Sequence, residues 1–291
     1  MNSSYLYFND IRVHYLSWDA VSSRVPLVLV HGLASNARIW EKVAPLLVDG
    51  GFAPYALDQR GHGLTDAPDG DYSFDTFTHD LAAFIDALNL DKPLLVGHSW
   101  GAMLVLEYAA RFPIGPRAAP GIVLVDGGIT QMDDSPGATW EQVNQRLAPP
   151  PLAGMPVEQF TAMVARANDS WKPDDQDISI ILGNFAVSQE ETISPRLSFE
   201  HHMLILRSMW EYKTYARFDR LRCPVLMVSA VPAGYTAPEL QAYLAQKERG
   251  IQQAQARIRK LIVQRMQNTI HDIPLQRPGE LAELIVKFAQ S

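Results

Sequence analysis

The pentapeptide Gly97-His98-Ser99-Trp100-Gly101 constrains this chain more than any other feature. On its own, Gly-x-Ser-x-Gly is common. Here it sits between the apolar run Leu94-Leu95-Val96 and the helix-forming Ala102-Met103, so the motif runs from a buried strand through a sharp turn into a helix. Gly97 and Gly101 carry no Cβ, which lets strand and helix approach on either side of the turn. A serine on such a turn is held in strained backbone angles, clear of the sheet and near the positive end of the following helix. A chain built around this unit needs a parallel sheet to carry it.

The rest of the sequence supplies one. Continuous apolar runs at Val25–Val30, Phe52–Leu57, Leu94–Val96 and Ile122–Val125 read as strands buried on both faces. They alternate with helical patterns at Ala37–Val48, Phe74–Leu90 and Ala102–Arg111, which predicts right-handed crossovers and an α/β fold. Tyr5–Phe8 and Ile11–Trp18 read as a hairpin ahead of them. The alternation stops at Gly127 and resumes with a strand at Pro224–Ser229, a helix at Pro238–Gln255, a strand near Lys260–Gln264 and a helix at Gly279–Ala289. The intervening stretch holds helical patterns, the run Pro149-Pro150-Pro151 and no convincing strand. Residues 1–126 and 216–291 are therefore expected to form a core domain, with 127–215 as an inserted helical cap. Between Gly127 and Tyr215 there are 12 acidic against 6 basic residues, within a net charge of −7 for the whole chain. A solvated outer face accounts for this; the sharper alternative is a lid that discourages anionic substrates.

Three further motifs sit at strand ends: His31-Gly32, Asp58-Gln59-Arg60-Gly61-His62-Gly63 and Ile270-His271-Asp272-Ile273-Pro274. Together with the Ser99 turn they make the chain resemble the α/β-hydrolase superfamily, in its lidded esterase, epoxide-hydrolase-like and haloperoxidase-like branch. The resemblance implies a mostly parallel sheet flanked by helices and a serine hydrolase with Ser99 as nucleophile. Acyl transfer needs donors for the oxyanion. The amide of Trp100, next after the nucleophile, is one, and the resemblance puts the second at Leu33. A free serine is a weak nucleophile and needs an imidazole in reach. Of the eight histidines, His271 alone has the topological position of that base, after the last strand and in the chain order serine, acid, histidine. His31 and His62 read as structural or pocket-lining, and Asp58 and Arg60 as braces of their loop.

The acid is the departure. The resemblance puts a carboxylate after the strand at Pro224–Ser229, but that position holds Ala233 in Ser229-Ala230-Val231-Pro232-Ala233-Gly234. Two residues can replace it: Asp126, which ends the strand Ile122–Val125, and Glu239, further along the loop. Asp126 is preferred because a strand end fixes geometry better than a long loop.

The resulting expectation is a carboxylesterase that acts on uncharged small to medium esters through an acyl-enzyme. A lactonase, a C–C-bond hydrolase and a cofactor-free perhydrolase are the alternatives within this chemistry; a small-molecule receptor is the alternative outside it. His31, Trp140, Trp171, Met203 and Trp210 are the candidate pocket residues. No cofactor motif or metal-ligand spacing is present in the sequence, and the acidic balance argues against nucleic acid. The single cysteine, Cys223, permits no internal disulfide. With no signal-like or bilayer-length apolar run, a cytoplasmic monomer or homodimer without membrane association is expected.

Overall fold

The computed structural model describes residues 1–18, 24–134, 137–166, 171–234 and 238–291, except for the side chain of Glu239. Eight strands form one sheet: β1 (Asn2–Phe8), β2 (Ile11–Ser17), β3 (Val25–Val30), β4 (Phe52–Leu57), β5 (Leu94–His98), β6 (Ile122–Val125), and two later strands, Val225–Val231 and Leu261–Gln267. Between β6 and these lie two short strands, β7 (Phe185–Val187) and β8 (Ile193–Pro195), so the last two are β9 and β10. The order across the main sheet is β1-β2-β4-β3-β5-β6-β9-β10, and β2 is the strand that runs against the others.

Burial on both faces is written into the strands with a period of two. Val28 and Val30 of β3 pack on one side, and Leu27 and Leu29 on the other. Ile122 and Leu124 of β6 repeat the pattern against Val123 and Val125, as do Val225 and Met227 of β9 against Leu226 and Val228. Helices α2 (Phe74–Ala87) and α3 (Trp100–Arg111) cover the first face. On the second face lie α1 (Ala44–Asp49) and the C-terminal helix Pro278–Ala289. The chain passes from β3 outward to β4 and then back across β3 to β5. This reversal is a topological switch point, where the carboxyl ends of the strands open a crevice.

Two expectations about elements need correction. The helix expected over Ala37–Val48 is a 3-10 turn at Ala37–Trp40, capped by the Asn36 side chain, followed by α1. Pro45 has no N–H to continue a helix from the preceding turn, so the chain restarts there. The segment between β6 and β9 also contains the antiparallel pair β7–β8, where no strand was expected. Its strands have three residues each and are largely exposed, so no apolar alternation marks them. The rest of that segment is helical: α4 (Trp140–Leu147), α5 (Val157–Arg166), α6 (Asp175–Leu182), α7 (Phe199–Glu211) and α8 (Thr214–Phe218). Beyond β9 come α9 (Pro238–Arg257), α10 (Ile273–Gln276) and α11, the C-terminal helix already placed.

Candidate active site

The crevice at the switch point collects side chains from four strand ends. Ser99 follows β5 with φ 56° and ψ −121°, a left-handed backbone for a residue with a Cβ. The neighbouring glycines make this turn possible. A Cβ on Gly97 would lie 2.3 Å from the Gly101 carbonyl oxygen, and one on Gly101 would lie 2.4 Å from the carbonyl oxygens of Val30 and His31. No side chain fits at either position without moving backbone. The Ser99 amide donates to the Val125 carbonyl at 2.8 Å, which ties the turn to the end of β6.

Asp126 ends β6, and His271 follows β10 just before α10. The hydroxyl of Ser99 lies 2.9 Å from His271 Nε2, and His271 Nδ1 lies 2.7 Å from Asp126 Oδ2. If Nδ1 carries the proton it donates to the carboxylate, and Nε2 is left as the acceptor for the Ser99 hydroxyl. Asp126 is buried, while the His271 side chain is 47% exposed. Burial pushes the Asp126 carboxyl up, but the hydrogen bond from His271 and the charges of His271 and Lys247 outweigh it, holding the pKa at about 2. For His271 the sign is reversed: desolvation lowers its pKa, and the adjacent Asp126 carboxylate more than compensates, leaving it raised. Asp126 is thus a fixed anion beside an imidazole that gains stability when protonated.

Two groups hold this pair that the sequence reading missed. Lys247 of α9 is 4% exposed and donates from Nζ to Asp126 Oδ1 at 2.5 Å and to the Ala230 carbonyl at 2.7 Å. The Ala230 amide donates to the same Oδ1 at 2.8 Å. The sequence carried a signal for Lys247: it stands in register with buried Ile251 and Ala254, on the inward stripe of a helix. The second group is His98, inside the pentapeptide. Its Nε2 donates to the His271 carbonyl at 2.9 Å, and the two rings lie 4.9 Å apart. Burial, with the charge of His271 added, lowers the His98 pKa to about 4, so the ring is a neutral strut.

On the other side of Ser99, a Cβ on Gly32 would come within 3.0 Å of Ser99 Cβ and 3.5 Å of its Oγ, so the backbone leading to Leu33 runs beside the hydroxyl. Trp100 opens α3, where the first amides have no partner within the helix. Its indole is fully buried, stacked on His62 at 5.6 Å and edge-on to Phe77 at 4.6 Å. Asp58 braces the neighbouring loop by accepting from the amides of Ala37 and Leu64 and from His14 Nδ1. Arg60 pairs with Asp80 of α2 at 2.8 Å instead of with Asp58.

A cavity of about 100 Å³ lies next to this wall. Ala34, immediately after Leu33, lines it together with His62, Leu152, Phe185, Arg196 and His202. The aromatic and methionine residues expected there are elsewhere. His31 is fully buried beneath the site, its Nδ1 donating to the Gly32 carbonyl at 2.7 Å and its Nε2 accepting from the Gln59 amide at 3.1 Å. Trp140 and Trp210 pack on each other, with the Arg207 guanidinium over the Trp140 ring. Trp171 packs against the core that carries α1 and α11. Met203 misses the cavity because a one-residue step turns a helical side chain by about 100°, and on α7 it is His202 that faces inward. Glu239 is the second residue of α9, and its side chain lies outside the described residues. Among the described residues, no cluster of histidine, cysteine and carboxylate side chains is arranged to hold a metal ion, and no helix is long and apolar enough to cross a membrane.

Residues 25–158 match the family model described as alpha/beta hydrolase fold. N-formylmaleamate deformylase of Pseudomonas putida is 42% identical over 122 residues, which are 40% of this chain and 42% of that protein. The 2-(acetamidomethylene)succinate hydrolase of Mesorhizobium japonicum is 40% identical over 89 residues, 30% of this chain and 32% of that protein. The matched segments thus span about a third to two fifths of these relatives. A thioesterase domain from the curacin biosynthetic pathway superposes with a TM-score of 0.74 at 19% identity, over 98% of this chain and 99% of that one, a likeness of fold.

Proposed function

From the alpha/beta-hydrolase fold that this chain carries, and its sequence resemblance to that superfamily, we propose that it is a serine hydrolase working through an acyl-enzyme. One observation carries the reading: the unbroken chain of contacts from Ser99 Oγ through His271 to Asp126, each member at the carboxyl end of a different strand. Ser99 attacks a carbonyl while His271 Nε2 accepts its proton. Asp126 fixes the tautomer and stabilises the imidazolium. The amides of Leu33 and Trp100 receive the oxyanion, a contact for which one donor typically counts about 3 kcal/mol in the transition state. His271 then protonates the leaving group, and water activated by the same imidazole releases the acyl group.

The substrate is a small carbonyl compound, with carboxylic esters as the first class to test; residues 127–215 act as the cap that closes over it. The names of the two relatives indicate a formyl-bearing and an acetamido-bearing substrate, and the same apparatus serves esters and activated amides alike. The test is hydrolysis of 4-nitrophenyl acetate and butyrate by the wild type and by Ser99→Ala. Turnover lost in the variant supports the reading. Equal turnover in both proteins would remove Ser99 from the chemistry.

A further inference from the structure

The last carbonyls of an α-helix have no partner one turn on and look for one outside the helix. Two of those of α6 accept from side chains of the loop that follows β3. The Ser179 carbonyl accepts from Arg38 Nη1 at 2.9 Å, and the Ile180 carbonyl from Asn36 Nδ2 at 3.2 Å. Asn36 Nδ2 also donates to Asn184 Oδ1 at 2.5 Å. Gly183 leaves room for this contact, since a Cβ there would lie 3.2 Å from Asn36 Nδ2. Further along, Lys42 Nζ reaches Asp174 and Asp177, at the start of the same helix, both at 2.7 Å. The helix is thus seated on residues 36–42, and Asn36, 2% exposed, is the buried contact among these three.

Asn36 stands three residues after Leu33, whose amide receives the oxyanion in the proposed mechanism. Among the described residues, no backbone carbonyl accepts from that amide. The turn that presents it is strained: Ala34 has φ 54°, a left-handed backbone for a residue with a Cβ. Such a conformation persists only where the surroundings over-determine it. Before the turn they do so through Gly32, which lies against Ser99, and through the fully buried His31. After the turn, the Ala37 amide donates to Asp58 Oδ1 at 2.7 Å, and the Asn36 side chain works in two directions. Its Oδ1 accepts from the Arg38 amide at 2.8 Å and starts the 3-10 turn, while its Nδ2 carries the contacts to α6 and Asn184.

We propose that Asn36 is a positioning residue of the oxyanion hole. By tying the end of α6 to the chain just after the Leu33–Ala34 turn, it makes the seating of residues 127–215 a condition for the Leu33 amide to face the carbonyl oxygen at Ser99. The cap then takes part in the chemistry as well as covering it. Asn36 acts through the backbone of the turn, without touching the substrate. Removing one oxyanion donor costs about 10²–10³ in kcat, so displacing one should cost about tenfold or more. This inference rests on the serine-hydrolase reading.

The experiment compares wild type with Asn36→Ser, whose hydroxyl keeps the cap on the Arg38 amide but is too short to reach α6. Steady-state constants for 4-nitrophenyl acetate and the Ki of propyl trifluoromethyl ketone are measured per active site, counted by fluorophosphonate titration. In the ketone adduct Ser99 Oγ bonds to the carbonyl carbon, the C=O π pair moves onto the oxygen, and the hydroxyl proton passes to His271. The resulting oxyanion reports on the donors directly, which a loss of stability alone would not change. Asn36→Ser should lower kcat/KM by tenfold or more, through kcat, and raise the ketone Ki by a matching factor. Unchanged constants in the folded variant, a loss through KM alone, or a fall in kcat that leaves Ki in place would overturn the proposal while leaving the hydrolase intact. Where Asn36→Ser does not fold, Asn184→Ala decides: a several-fold loss in kcat with a matching rise in Ki supports the proposal, and unchanged constants overturn it. Wild-type turnover that Ser99→Ala retains, or none at all from folded wild type, would refute the hydrolase reading and this inference with it.

Discussion

Lys247→Met should move the acid limb of the kcat/KM profile to higher pH. In the proposed mechanism the general base works as neutral imidazole, so the acid limb follows the His271 pKa in the free enzyme. Asp126 raises that pKa and Lys247 lowers it. Around the ring the charged and titratable neighbours are Asp126, Asp272, His98 and Lys247, with Tyr243 beneath the Lys247 ammonium. Methionine keeps the length of the lysine stem and deletes one positive charge. From Nζ, the path to the imidazole crosses one hydrogen bond to Oδ1, the carboxylate, and a second hydrogen bond from Nδ1 to Oδ2. Unit charges about 7 Å apart at an effective dielectric constant of about 20 interact by roughly 2 kcal/mol, or between one and two pKa units. His271 is half-exposed, so solvent screening places the shift near one unit or below. The assay is a pH–rate profile from pH 5 to 9 with 4-nitrophenyl butyrate. Breaking a buried ion pair from one side costs about 3–5 kcal/mol, so urea unfolding of the variant accompanies it. The limb should rise by about one unit, so that near pH 6 the variant loses several-fold relative to its own plateau. A folded variant whose limb stays in place, or moves to lower pH, would refute the electrostatic reasoning.

Other consequences are checked more simply. Asp126→Asn keeps the shape but removes the anion, and should lower kcat by about 10³–10⁴-fold in steady-state assays, whereas Glu239→Gln should leave it near wild type. His98→Leu removes the hydrogen bond to the His271 carbonyl; kcat should fall with KM little changed, because the strut acts on the base and not on the substrate. Gly101→Ala places a Cβ 2.4 Å from two carbonyl oxygens, and should lower the melting temperature sharply or abolish soluble expression. Acid should destabilise the fold well above the carboxylate range. His62 and His98 take protons in the unfolded chain below about pH 6.5, but burial holds them neutral in the folded state down to about 3 and about 4. Each should therefore cost up to roughly 1.4 kcal/mol per pH unit below that point, read as a falling urea midpoint between pH 6.5 and 4; a flat midpoint would contradict it.

How much of this was legible in the sequence follows from where the information is stored. The doubly buried strands carried it locally, as apolar runs with no polar interruption, and their alternation with helices fixed the layers before any contact was known. The Ser99 turn was equally local, because close approach of β5 and α3 demands glycine on both sides. Asp126 was harder. The sequence left it in contest with Glu239, and only the proximity of β6 and the loop after β10 decides which carboxylate reaches His271. Lys247 depends on a contact between α9 and the end of β6, far apart in the chain, where local pattern says little. Lys247 at least stood on an inward stripe with Ile251 and Ala254. The pocket residues Trp140 on α4 and Met203 and Trp210 on α7 were read from apolar spacing within single helices, which does not say what such a stripe meets.

In the proposed mechanism Ser99, activated by His271, becomes the acyl carrier. Treatment with a fluorophosphonate, followed by intact-mass and peptide mass spectrometry, tests it most directly. One adduct per chain is expected, on the peptide containing Ser99, formed in step with loss of esterase activity and strongly slowed in His271→Ala. Esterase activity that persists with Ser99 unmodified, or that is lost through an adduct on another residue, would contradict it.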